Sequence, residues 1–134
     1  MTEIYQLEAT CMVVGREGTP LEAKLVTVDI QGYCRLSNID TGEKVRETKV
    51  NSKEDTRYFK VISNQNQTML VVTAMCFDHG NLTTVISFLD TETLDMVKEV
   101  QQDCISDITF NKRGNRLLAV TENGKIICSK LWPK

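Results

Sequence analysis

Hydrophobic residues along this chain fall in runs of four to six that alternate with polar ones, as in "KLVTVD", "YCRLSNI", "TTVISFL" and "KIICSKL". A period of two sends successive side chains to opposite faces of a pleated sheet. The runs are also rich in Val, Ile, Leu, Thr, Phe and Tyr, the composition of half-buried strands. Between them stand "DIQGY", "DTGE", "NKRGN" and "ENGK", whose Gly, Asn and Asp supply the positive φ angles and side-chain caps of tight turns. One stretch, "TLDMVKEVQQDCISDI", also scores as an amphipathic helix through Met96, Val97 and Val100. Its β-branched content and the turn before it favour strand, so the whole chain predicts an all-β fold.

The pattern repeats. "KLVTVDIQGYCRLSNID" (24–40) and "RLLAVTENGKIICSKLW" (116–132) align without a gap, matching Leu25 with Leu117, Gly32 with Gly124 and Ser37 with Ser129. A middle copy, "TMLVVTAMCFDHGNLTTVISFLD" (68–90), aligns Leu70, Gly80 and Ser87 with them across a longer connection. Each copy reads as antiparallel strands. An opening strand is clearest in "ISDITFNKRGN" and has its counterpart in "YFKVISNQNQ", with Ile62 at the place of Phe110. A second strand, a Gly turn and a third strand follow. Outer strands "KVRETKV" and "DMVKEV" come after the turns "DTGE" and "DTET". The expected organisation is one all-β domain over 1–134, with repeat units at about 9–50, 57–101 and 104–132.

Antiparallel four-stranded repeats of this plan resemble the blades of the WD-repeat β-propeller family, over nearly all of the chain after residue 8. Where that family ends its third strand in Trp-Asp, this sequence has Ser37-Asn38, Ser87-Phe88 and Ser129-Lys130. The resemblance implies a partial propeller, or one completed by oligomerisation, and even strand spacing also suits a β-sandwich or barrel. The third copy ends at "KLWPK" without an outer strand, and "TEIYQLE" is an alternating segment with no blade of its own. An unpaired edge is a template for another strand. "EIYQLE" is therefore expected to pair there, within the chain, from a second copy or with another protein. Ile4, Tyr5, Leu7 and Trp132 are the candidate partner contacts, Trp being enriched at binding hot spots.

Composition narrows the function classes. At 134 residues, 25% charged and 41% hydrophobic, the chain has the make-up of a folded globular domain. Sixteen Lys and Arg against eighteen Asp and Glu leave a net charge of −2, with no basic cluster interleaved with aromatics. Nucleic acid is not an expected partner. No apolar run approaches the roughly 20 residues of a membrane span, and the N-terminus lacks the pattern of a secretory signal, so the expected compartment is cytoplasmic or nuclear. Cys11, Cys34, Cys76, Cys104 and Cys128 are widely spaced, and His79 is the one histidine. No zinc or disulfide framework fits, and the thiols read as small buried hydrophobes. Neither a cofactor nor a metal is expected.

"CFDHGN" does gather Cys76, Asp78 and His79, so a small cysteine-dependent enzyme is the rival reading, although nothing orients the histidine. The leading expectation is a non-catalytic protein-protein interaction module or scaffold component. A third reading is a fragment of a longer propeller.

Overall fold

The computed structural model describes residues 6–50, 56–78 and 80–130, and among them it contains strands and turns but no helix. The eleven strands form three antiparallel sheets. The first sheet, blade 1, is β1 (Cys11–Val14), β2 (Lys24–Val28), β3 (Tyr33–Asn38) and β4 (Lys44–Lys49), paired in chain order. Blade 2 repeats that order with β5 (Thr56–Ser63), β6 (Met69–Asp78), β7 (Asn81–Asp90) and β8 (Met96–Asp103). Blade 3 has β9 (Ile105–Phe110), β10 (Arg116–Thr121) and β11 (Ile126–Lys130). The all-β fold of antiparallel blades is the one the alternating pattern predicts, and the ambiguous 96–103 stretch is strand.

Pairing registers make the blades superimposable residue by residue. Leu25 lies opposite Ser37, Leu70 opposite Leu89 and Leu117 opposite Ser129. The three leucines are therefore equivalent, as their alignment predicts. Ser87 is not equivalent to Ser37 and Ser129; Leu89, two residues later, holds that place because the β6–β7 hairpin is longer than its counterparts. Ile62 likewise yields to Ser63 as the counterpart of Phe110, since Ser63 faces Leu70 and Phe110 faces Leu117.

Alternation gives each blade two faces, an upstream one toward the preceding blade and a downstream one toward the next. Val26, Val28, Cys34 and Leu36 on the downstream face of blade 1 pack with Phe59, Val61, Leu70, Val72 and Leu89 on the upstream face of blade 2. Met69, Val71, Ile86 and Phe88 on the other side of blade 2 pack with Ile105, Ile108, Leu117 and Ala119 of blade 3. Blade 2 is thus buried on both faces, which explains the nearly unbroken apolar run "MLVV" in β6. Leu25, on the upstream face of blade 1, is only half-buried, whereas its counterparts Leu70 and Leu117 are buried.

Polar contacts lock the blade order. Gln67, buried in the β5–β6 turn, accepts from the Arg16 N–H and the Thr19 hydroxyl through Oε1, both at 2.8 Å, and donates from Nε2 to the Val14 carbonyl at 3.0 Å. All three partners belong to blade 1 or its β1–β2 loop. In blade 3 the equivalent turn position is Gly114, with φ 75°, where an added Cβ would lie 3.2 Å from the Asn64 Cβ. The same turn therefore clasps the preceding blade through a long amide in one case and through close approach in the other. Higher in the sheet, the Ile105 N–H donates to the Thr84 Oγ1 at 3.0 Å, tying blade 3 to blade 2.

Two of the remaining turns share one design. Asn38 Oδ1 accepts from the N–H groups of Asp40 and Thr41, and Asp90 Oδ1 accepts from those of Glu92 and Thr93. The visible identity between "DTG" and "DTE" is out of register by two residues, because the capping acceptors are Asn38 and Asp90. At the next equivalent position Gly42 has φ 75° and Leu94 has φ 60°. Leu94 adopts this left-handed conformation while 1% exposed, within the core between blades 1 and 2.

Truncating Leu117 to Ala is expected to destabilise the protein by about 2–5 kcal/mol, the range for a buried leucine. Gln67→Ala should cost about 1–3 kcal/mol, since it strands several polar groups at once. Urea unfolding followed by circular dichroism measures both.

Candidate interaction surface

The β2–β3 and β6–β7 hairpins and the starts of β5 and β9 all lie at one end of the blades, as the antiparallel registers require. Large apolar side chains project there. Ile30, in the turn between β2 and β3, and Tyr58, near the start of β5, are each 74% exposed, and Phe77 lies close to the tip of the β6–β7 hairpin. Tyr58 sits in a bulge between Arg57 and Lys60 with φ 59°, a left-handed conformation that costs a bulky residue free energy. It separates two cavities. One, of about 840 Å³, is lined by Thr10, Ile30, Arg57, Tyr58 and Phe59. The other, of about 140 Å³, runs toward blade 3 past Lys60, Met75, Ser106 and Asp107.

Below this end, a polar ladder crosses the upstream face of blade 1. Asp29 is buried; its Oδ1 accepts from the N–H groups of Gln31 and Tyr33 at 2.9 and 3.0 Å, and its Oδ2 from Arg35 at 2.7 Å. Arg35 also donates to Glu47, which Lys44 approaches at 3.5 Å, and Arg35 and Lys49 both lie over the Tyr33 ring. Burial pushes the Asp29 carboxyl up, but the Tyr33 N–H, Arg35 and the Gln31 N–H together outweigh it and hold the group below its ordinary value. Arg35 holds Glu47 down as well. This ladder anchors the hairpin that carries Ile30.

No disulfide joins the five cysteines, which are all free. Cys34 and Cys76 are buried, as their apolar contexts predict, and so is Cys104, but Cys128 is exposed despite the apolar context "KIICS", because it points from the downstream face of blade 3, beyond which the described chain has no further sheet. Burial, reinforced by neighbouring Cys11, pushes the Cys34 thiol up to about 12. The Cys11 thiol is raised chiefly by burial, and that of Cys104 by burial and then by Glu122. Among the described residues, no group of three or more His, Cys, Asp or Glu is placed to hold a metal ion.

The chemistry read from "CFDHGN" does not assemble as a described site. Cys76 is buried, and its Sγ donates to the Phe77 carbonyl at 3.8 Å, while His79 lies outside the described residues. Of the candidate partner contacts, Ile4, Tyr5 and Trp132 also lie outside them. Leu7 is described and exposed, and, among the described residues, 6–9 form no strand and pair with no sheet. Ile30, Tyr58 and Phe77 were not singled out by the alternating pattern. The one signal for them is an isoleucine in the middle of the polar turn "DIQG".

No protein-family model matches the sequence, and no curated protein does. Solved structures match its fold. The WD40 repeats of RRP9 superpose with a TM-score of 0.66 over 96% of this chain, at 13% identity. The structure of U3-55K gives the same TM-score and identity. A Kluyveromyces lactis Hsv2 whose loop 6CD is replaced by a Gly-Ser linker gives 0.67 over 100% of the chain, at 16% identity. The fold is therefore that of the WD40-repeat β-propeller, represented here by three consecutive blades. This chain spans 37% of the RRP9 structure and 41% of the Hsv2 one.

A pH dependence follows from Asp29. Because its folded pKa lies below the ordinary 3.8, its contribution to stability is complete above that value and is lost as pH falls through the folded one. Asp29→Asn should lower stability at neutral pH and flatten its decline in acid below the ordinary value, read from melting temperatures across a pH series. In thiol labelling of the denaturant-free protein, Cys34 should stay unmodified until unfolding.

Proposed function

We propose that the chain is a non-catalytic protein-protein interaction module, a scaffold component of a larger complex in the cytoplasm or nucleus. The observation that carries this reading is that Ile30 and Tyr58, each 74% exposed, line one cavity at the end of the blades where Phe77 is also exposed. Water-exposed aliphatic and aromatic side chains held on a rigid sheet suit a protein partner, since such anchors dominate binding energy when they are desolvated. Tyr58 strengthens the case, because its backbone strain places an aromatic ring in solvent between two cavities. A net charge of −2 favours proteins over nucleic acids as partners. Among the described residues no helix is long and apolar enough to cross a membrane. On sequence grounds Ile4, Tyr5, Leu7 and Trp132 are proposed as further contacts, alongside the outer edge of β11, which has no fourth strand beside it among the described residues.

Tyr58→Gly separates binding from folding. Glycine accepts φ 59° without the steric cost, so the melting temperature should stay the same or rise. The set of proteins cross-linked to the chain in its native extract should shrink relative to the unchanged protein, and Ile30→Ser should act in the same direction. An identical set for both variants refutes this surface.

A further inference from the structure

The two junctions between blades differ at one set of equivalent positions. On blade 1, Val28 lies between Cys11 and Cys34; on blade 2 the same three places are held by Thr73, Lys60 and Ile86. Val28 and Cys34 are fully buried in the first junction, and Cys11 packs against them. On blade 3 the place of Thr73 belongs to Val120. Valine thus fills this position in two blades of the three, so the blade architecture does not call for a hydroxyl there. In the second junction Thr73 and Lys60 instead line the smaller cavity beside Tyr58, about 140 Å³ in volume, against an apolar wall of Ala74, Ile105 and Ile108. Thr73 is 9% exposed, and among the described residues its hydroxyl has no hydrogen-bond partner. A buried polar group left in that state costs free energy. Lys60 of β5 and Asp107 of β9 line the same cavity and form no ion pair with each other. Its rim is accessible, since Tyr58, Lys60, Ser106 and Asp107 are all exposed.

We infer that this cavity receives a carboxamide, the end of a glutamine or asparagine side chain of a protein partner. The carboxamide oxygen accepts from the Lys60 ammonium and the Thr73 hydroxyl, and its NH₂ group donates to the Asp107 carboxylate. One cation and one anion line the space, so a neutral group with a donor and an acceptor suits both. A carboxylate would meet the like charge of Asp107, and an ammonium or guanidinium that of Lys60. An apolar group would leave the Thr73 hydroxyl unpaired. The volume is close to that of a cavity that takes one benzene ring, which leaves room for a carboxamide and its methylene stem. That the group comes from a protein rests on the proposed reading of this end of the blades as an interaction surface. Tyr58 is the wall shared with the larger cavity that Ile30 lines, so a segment lying across its ring presents neighbouring side chains to both cavities.

Titration of the full chain with propionamide, followed through backbone amide chemical shifts, tests the chemistry of the cavity. Saturable shifts are expected at Thr73, Ala74 and Ile105, and propionate and propylammonium at the same concentrations should produce none that saturate there. Thr73→Val should weaken propionamide binding about ten-fold, the loss of one hydrogen bond, and Lys60→Met should act in the same direction. The melting temperature of the free Thr73→Val chain should stay the same or rise, because the hydroxyl it removes has no partner. The protein source is read separately, from the proteins cross-linked to the chain in its native extract, a set that should lose members in Thr73→Val. Equal propionamide affinity in Thr73→Val and wild type, saturation by propionate or propylammonium instead, or a lower melting temperature of Thr73→Val would each overturn the carboxamide site. An unchanged cross-linked set in Thr73→Val overturns the partner side chain as its occupant. Should the cross-links also ignore Tyr58→Gly and Ile30→Ser while propionamide still binds, the interaction surface falls and the chemistry of the cavity stands.

Discussion

A sheet with two apolar faces is not stable alone in water, and the rest of this structure follows from that constraint. Each blade alternates hydrophobic side chains onto both of its faces, so each needs a neighbour on either side. Blade 2 has both neighbours, and its two faces hold most of the buried leucines, valines and phenylalanines. Blades 1 and 3 each have one. The stacking order is therefore enforced by solvent, and the backbone hydrogen bonds within each sheet are satisfied whichever neighbour arrives. Their pairing sets the register of the apolar positions; the choice of neighbour rests on the fit between faces.

Specific polar groups turn this general attraction into a fixed geometry. Apolar faces of similar width tolerate sliding, whereas Gln67 reaches an amide, a hydroxyl and a carbonyl of blade 1 that lie in one place only. A shift of one residue pair would leave those groups unpaired in a poorly hydrated site. Blade 3 uses a shorter device, the missing side chain at Gly114. The difference shows how equivalent turns diverge in sequence while keeping their mechanical role. It also explains why the signature dipeptide of the resembling family is dispensable here: the clasps at Gln67 and Gly114 and the Thr84 hydrogen bond to Ile105 hold neighbouring blades by other groups.

The fold was legible in the sequence because alternation and hairpin glycines are local signals. Gly32, Gly80 and Gly124 all adopt positive φ at the turns where the repeats place them. Leu70 and Leu117 fall in one register because their opening hairpins are alike, and Leu25 joins them because the β2–β3 and β10–β11 hairpins are alike. The errors arose where a local identity was coincidental. The two Asp-Thr pairs set Asp40 beside Asp90 although Asn38 holds that place, and the shared serine sets Ser87 where Leu89 belongs, since the long β6–β7 hairpin moves the register without changing the alternation. The candidate surface was far less legible. Exposure at Ile30 and Tyr58 depends on which ends of the strands come together, and the bulge at Tyr58 reverses a local expectation that only the pairing of β5 with β6 reveals.

The buried, left-handed Leu94 has a kinetic consequence. At the matching turn Gly42 has no side chain to withdraw, so the β3–β4 connection opens and closes as a small local event. Opening at Leu94 pulls a leucine out of the core between blades 1 and 2. Amide protons of the second turn therefore exchange with solvent only through a larger opening that loosens the junction of two blades, whereas those of the first exchange by fraying. Two turns of nearly the same shape thus belong to different cooperative units of the molecule.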